Sequence, residues 1–398
     1  MFSKNFALHA LVWIVLLAGF GIFIYRSVTT SPLPMTTTAS AQTLSPDVLT
    51  QNLRSANLPV AQIVERTVPD AKGTVIYIPQ NHLVPGTDPL SSQNDSAIQT
   101  QDQISKIVQY VTSAADLGYV MVEGSLYGPV TSSSLDVQAK ELNSAAALSK
   151  AADAYSPQCQ DALCQRAIIG AHALGSSLQR DGMLKGGANS VKALGGSFAL
   201  IGAEDKTTET QAGDLVRNYY YLNDRLASLQ PQQQQQMGPS LASLANVLPP
   251  ASAPVTDVSS ADLAALGGAG SDAFKQAVND AHAAKTAAQA LQLQLEAGLP
   301  SRTDNPYASE TDASLVQSQI TKAQQDIQSV IVDGRNVEAA TNFAKGLSDQ
   351  SAHSGVLVFG AGHTSGLMRS LQDQKLNVIV VVPQQLGNDS ELSSALAS

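Results

Sequence analysis

Apolar and polar positions follow two different periods along this chain, and the change from one to the other marks out its elements. Thr74-Val75-Ile76-Tyr77-Ile78 is a short β-branched run ended by Pro79, the pattern of a buried strand. Ile104, Ile107, Val108 and Val111 then recur at spacings of three, one and three, which is one face of a helix. Gly118 closes that helix, and Tyr119-Val120-Met121-Val122 is a second apolar run. The order strand, helix, strand predicts a parallel pair joined by a right-handed crossover. The C-terminal part repeats the pattern. Val356 to Phe359 is a strand, Leu367, Met368 and Leu371 mark a short helix, and Val378 to Val382 is a strand ended by Pro383.

Between these units the sequence is dominated by Ala, Gln, Leu and Ser. Leu215, Tyr219, Leu222 and Leu226 recur at four, three and four; Val316, Ile320, Ala323, Ile327 and Val330 do the same over a longer stretch. Phe274 to Leu295 continues in this style. These are long amphipathic helices, more consistent with packing inside the molecule than with a partner-binding coiled coil. Gln232 to Gln236 and Leu248 to Pro254 read as exposed linkers. One strand candidate interrupts the helices, Ser197 to Ile201, flanked by Gly195, Gly196 and Gly202.

A different pattern occupies the N-terminus. Phe6 to Tyr25 is continuously apolar apart from His9, and as a helix it would be about 30 Å long, the thickness of a bilayer core. Lys4 precedes it and Arg26 follows. The expectation is a single-pass signal anchor in the cell membrane, with the bulk of the chain extracytoplasmic. Ala39-Ser40-Ala41 offers the alternative of a cleaved signal peptide. The expected organisation is therefore a cytoplasmic n-region (1–5), a transmembrane helix (6–25), a flexible stalk (26–52), the first half of an α/β core (53–130), a mainly helical insertion with a core strand near 197–202 (131–351), the second half of the core (352–385), and a tail (386–398). The fold class is α/β, a mostly parallel sheet with flanking helices.

Charge and cysteine content narrow the function classes. With 23 Lys and Arg against 33 Asp and Glu, the net charge is −10 and no basic cluster is present, which argues against nucleic acid as a partner. The 14% of charged residues and 43% of hydrophobic ones are those of a chain with a sizeable core. Cys159 and Cys164 leave two readings open, a short local disulfide in an oxidising compartment or two buried thiols.

In open parallel sheets ligands collect beyond the carboxyl ends of the strands. Pro79-Gln80-Asn81-His82 follows the first strand here, and Glu123-Gly124 the second. Gly202-Ala203-Glu204-Asp205 and Gly360-Ala361-Gly362-His363 follow the third and fourth. Two histidines and at least two carboxylates thus fall at equivalent positions. V-M-V-E-G with Glu123, I-G-A-E-D with Glu204 and Asp205, and V-F-G-A-G-H with His363, taken in this order, resemble the superfamily of erythromycin esterase, ChaN-like haem-binding proteins and TIKI/TraB proteins. The first motif departs, because Pro79 stands where that superfamily has glycine.

The resemblance implies a hydrolase-like site, esterase or metallopeptidase-like, built from His82, Glu123, Asp205 and His363 and acting on a small-molecule or peptide substrate. His82, Glu123, Glu204 and His363 are also a plausible ligand set for a divalent metal ion that would activate water. Tyr127, in the loop after Glu123, is a candidate contact for a ligand or a haem iron. Two further readings are a non-catalytic haem- or metal-binding protein of the same fold, and a structural envelope-interaction protein with a degenerate site. A phosphate-binding loop and a serine-hydrolase elbow are both absent, and Gly360-Ala361-Gly362 with Gly366 misses the dinucleotide spacing by one residue.

Overall fold

The computed structural model describes residues 45–81, 91–115, 117–229, 258, 260–296 and 305–397. The apolar stretch 6–25, the stalk up to Leu44 and His82 lie outside the described residues. Among the described residues no helix is long and apolar enough to cross a membrane.

In chain order the main elements are α1 (Pro46–Ser55), β1 (Val60–Arg66), β2 (Gly73–Gln80), α2 (Asp95–Ser113), β3 (Tyr119–Leu126), β4 (Gly128–Pro129), α3 (Ser132–Tyr155), α4 (Ala162–Leu184), α5 (Gly187–Ala193), β5 (Ala199–Glu204) and α6 (Lys206–Leu229). They continue with α7 (Ser260–Ala265), α8 (Ser271–Glu296), α9 (Ala313–Ile327), α10 (Arg335–Asp349), β6 (Ser354–Gly360), α11 (Thr364–Asp373), β7 (Leu376–Pro383) and α12 (Ser390–Ala397). The strands form one seven-stranded sheet in the order β1-β7-β2-β6-β3-β5-β4. The five central strands are parallel, and β1 and β4 close the edges antiparallel. The chain is α/β with a mostly parallel sheet and flanking helices.

The sheet is apolar on both faces because helices cover both, as parallel sheets require. Val75, Tyr77, Tyr119, Met121, Leu357 and Phe359 face α10, α11 and α12; Ile76, Ile78, Val120, Val122, Val356 and Val358 face α1, α2 and α5. The alternation along each strand follows from the two-residue period of the β backbone.

Four expectations are corrected. β2 and β3 are parallel but not paired, since the late strand β6 lies hydrogen-bonded between them. Pro79 does not end the first strand; it pairs with Phe359 inside β2. The ladder to β7 stops at Tyr77, so a missing N–H at Pro79 interrupts no two-sided pairing. The folded part begins at Pro46, within the expected stalk, because Ser45 caps α1 and Leu49 and Leu53 are buried. The tail is likewise structured, with Leu392 and Leu396 of α12 in the core.

The helical middle is more than an insertion. α10 covers the sheet, with Ala339, Ala340, Phe343 and Leu347 in its core, so the second half of the core starts before residue 352. Two separate apolar clusters hold the remaining helices. One joins α3, α4, α7 and α8, and the other joins α6 to α9 through Tyr219, Tyr220, Leu222, Val316 and Ile320. Cys159 and Cys164 form a disulfide across the α3–α4 turn, with Cα atoms 5.1 Å apart.

Candidate functional site

At the carboxyl edge of the sheet, β3 presents Glu123, β5 presents Glu204, and the turn after β6 presents His363. Gly124 follows Glu123 with φ 83°, a left-handed conformation that suits glycine, and turns the chain over β5. Gly202 of β5 accepts that close approach, because a Cβ there would overlap the Ser125 and Leu126 carbonyls.

Glu123 is held on all sides. Its Oε2 accepts from the Gly360 N–H at 2.6 Å and from Gln80 Nε2 at 3.2 Å, and its Oε1 accepts from Arg335 Nη2 at 3.1 Å. Arg335 Nη2 also donates to Glu204 Oε1, which accepts the Gly124 N–H at 2.9 Å. The Arg335 side chain is only 1% exposed, and its guanidinium lies 5.4 Å from the centre of the Phe359 ring. Its Nε and Nη1 are buried and have no hydrogen-bond partner among the described residues.

Position explains why an arginine reaches this point. Residues Gln328–Gly334 form a π-helical turn between α9 and α10, and Arg335 is the first residue of α10. Such turns widen a helix locally and recur beside functional sites. The next residue, Asn336, is also turned inward, and its Oδ1 lies 2.9 Å from His363 Nδ1. An amide oxygen only accepts, so His363 Nδ1 is the donor in this pair, and in the neutral ring the lone pair is then on Nε2. His363 is buried and packs edge-on against Phe359, ring centres 4.9 Å apart. Gly366 makes room for Asn336, since a Cβ there would overlap its amide.

Burial sets the electrostatics. It pushes the Glu204 carboxyl up to about 7, helped by the Glu123 charge and opposed by Arg335. Burial also acts to lower the Arg335 pKa, but Glu204 and Glu123 outweigh it and hold the guanidinium above its ordinary value. Two carboxyl groups therefore share one buried cation, and removing that cation would leave both of them buried without a compensating charge.

The expected residues separate into two groups. Glu123 and Glu204 meet on Arg335, while Glu123 and His363 both flank Gly360, whose ideal Cβ would lie 3.2 Å from Glu123 Oε2 and 3.3 Å from His363 Cδ2. Asp205 and Tyr127 are elsewhere. Asp205 is exposed, its N–H bonded to Glu338 and its Oδ1 3.3 Å from Asn342 Nδ2 on α10. Tyr127 turns back along the sheet, so that its hydroxyl donates to Asp349 at 2.8 Å, at the opposite end of α10 from Arg335. Arg335 and Asn336 are the residues that sequence reasoning missed. Their one signal was a Gly-Arg-Asn triplet after the apolar run Val330-Ile331-Val332.

Of the expected metal set, His82 lies outside the described residues and the two glutamates are already engaged. Glu123 Oε1 and Oε2 and Glu204 Oε1 are all occupied by guanidinium or amide donors, and a divalent ion between these carboxylates would have to displace Arg335. Among the described residues no group of three or more His, Cys, Asp and Glu side chains is arranged to hold a metal ion. Tyr127, committed to Asp349 at the far end of α10, does not fit a haem ligand at this edge.

No family model, curated protein or solved structure matches this chain.

Proposed function

We propose that the protein is a membrane-anchored, extracytoplasmic hydrolase-like protein that cleaves an ester or amide bond with His363 as the base. The supporting observation is the His363–Asn336 pair. Asn336 fixes the tautomer that leaves Nε2 able to take a proton, and it does so at the carboxyl edge of a parallel sheet, where substrates bind.

In this reading His363 Nε2 takes a proton from a water molecule, and the hydroxide formed attacks the substrate carbonyl carbon. The proton then passes to the leaving oxygen or nitrogen as the bond to carbon breaks. Glu123 holds the apparatus in register, since its two oxygens tie together β2, β6 and α10. The apolar 6–25 stretch supplies the anchor, and the Cys159–Cys164 disulfide suits an oxidising compartment outside the membrane.

The test is a panel of chromogenic esters and amides with the full-length protein and His363→Ala. Turnover by the parent should fall by about 10²- to 10⁴-fold in the variant. Unchanged turnover in the variant would remove His363 from the chemistry. Retention of stoichiometric metal or a Soret band by a protein that turns over nothing would favour the carrier reading instead.

A further inference from the structure

Arg335 has more donors than its partners use. Nη2 is engaged by both glutamates, yet Nε and Nη1 are buried with no hydrogen-bond partner among the described residues. Leaving buried donors of a charged group unpaired is costly, and such groups in native structures have a reason, an acceptor or a water that pairs them or a role in the chemistry. The Phe359 ring offsets part of this cost through its π face, but it accepts no directional hydrogen bond in the guanidinium plane.

We propose that Arg335 is a binding site for a neutral carbonyl oxygen, the ester or amide oxygen of a ligand, to which Nε or Nη1 donates. The inference rests on the hydrolase reading for its place in a reaction, but not for binding itself. Three features carry it. The guanidinium is held through Nη2 by two glutamates on two strands, so its remaining donors are restrained before any ligand arrives. Arg335 and His363 pack on the same Phe359 ring, and they are joined through adjacent Asn336, so acceptor site and base belong to one cluster. Lastly, Glu123 and Glu204 already face this one cation, and Glu338 stands near it. Above about pH 7, where Glu204 is ionised as well as Glu123, an incoming carboxylate or phosphate would meet that negative surplus, whereas a neutral carbonyl would not.

The experiment is nuclear magnetic resonance of isotope-labelled full-length protein, following the Arg335 Nε–H resonance. It is identified by its loss in Arg335→Lys, or by through-bond correlation from the Arg335 backbone if that variant fails to fold. The probes are N-methylacetamide, acetate and inorganic phosphate at matched ionic strength. The expected result is a saturable shift with the amide and none with either anion. An amide that leaves the resonance unmoved overturns the proposal, even if the protein hydrolyses esters. A shift with acetate or phosphate equal to or larger than that with the amide overturns it too, in favour of an anion site. A saturable amide shift in a protein without turnover supports the binding site and discards only the hydrolase reading.

Discussion

Arg335 Nη2 donates to Glu123 Oε1 at 3.1 Å across 212 positions of sequence, and this contact fastens the start of α10 to the end of β3. Glu204 shares the same nitrogen, so the cation is the common partner of two buried acids. Replacing it with an apolar residue of similar length, Arg335→Met, leaves both acids buried without it. The expected loss is about 3–5 kcal/mol in denaturant unfolding. Lys106→Ala, which breaks an exposed pair with Asp102, should cost less than about 1 kcal/mol and serves as the contrast.

The raised Glu204 carboxyl makes stability depend on pH in an unusual direction. In the unfolded chain this group releases its proton near 4.5, but in the folded protein only near 7. Below 4.5 both states hold the proton and the Glu204 contribution is intact. Between 4.5 and 7 only the folded state does, so stability falls as pH rises through that window and levels off above it. The whole effect is on the order of 3 kcal/mol. Thermal unfolding midpoints measured from pH 5 to 8 should decline, and Glu204→Gln should flatten the decline.

Gly360 stands between Glu123 and His363, two of the site residues that the sequence marked at strand ends. A methyl group there would press on Glu123 Oε2 at 3.2 Å and on His363 Cδ2 at 3.3 Å. Gly360→Ala is therefore expected to cost about 1–3 kcal/mol through overpacking. Any ester turnover should fall further than stability at the assay temperature explains, because both side chains must move.

Asn336 is read as a positioning residue that acts through His363. Asn336→Ala should lower kcat on the order of 10²-fold, the scale of a misplacement near 1 Å, while KM stays close to that of the parent. It should also shift the pH profile of turnover, since the ring loses the acceptor that fixes its tautomer. A parallel change in KM alone would assign Asn336 to substrate binding.

The Cys159–Cys164 disulfide closes a loop between α3 and α4 with a sequence separation of five. For so short a loop the chain-entropy contribution is about 2 kcal/mol. The Cys159→Ser/Cys164→Ser double variant should lose that much stability in chemical unfolding and keep any turnover, because the disulfide belongs to the α3–α4 cluster rather than to the sheet edge.

Local pattern was enough for the elements themselves. The β-branched runs at Thr74 to Ile78 and Val378 to Val382, and the 3,1,3 spacing of Ile104 to Val111, lie in strands and a helix, because burial of one face forces that periodicity. Strand ends likewise marked Glu123, Glu204 and His363. Element boundaries were less legible: β5 starts two residues later than Ser197 and runs to Glu204.

What the sequence by itself determined is the period of each segment and which polar side chains stand at strand ends, since both are local properties. Tertiary structure alone decided strand order, and with it the placement of β6 between β2 and β3, because hydrogen bonding between strands depends on which edges meet and not on either strand's pattern. It also decided which acid meets Arg335. Glu204 and Asp205 are neighbours in sequence, yet one is buried on Arg335 and the other is exposed beside α10. Arg335 and Asn336 acquire their roles in the same way. They sit in an ordinary helical pattern until a π-helical turn and the packing of α10 on the sheet bring them to Glu123 and His363.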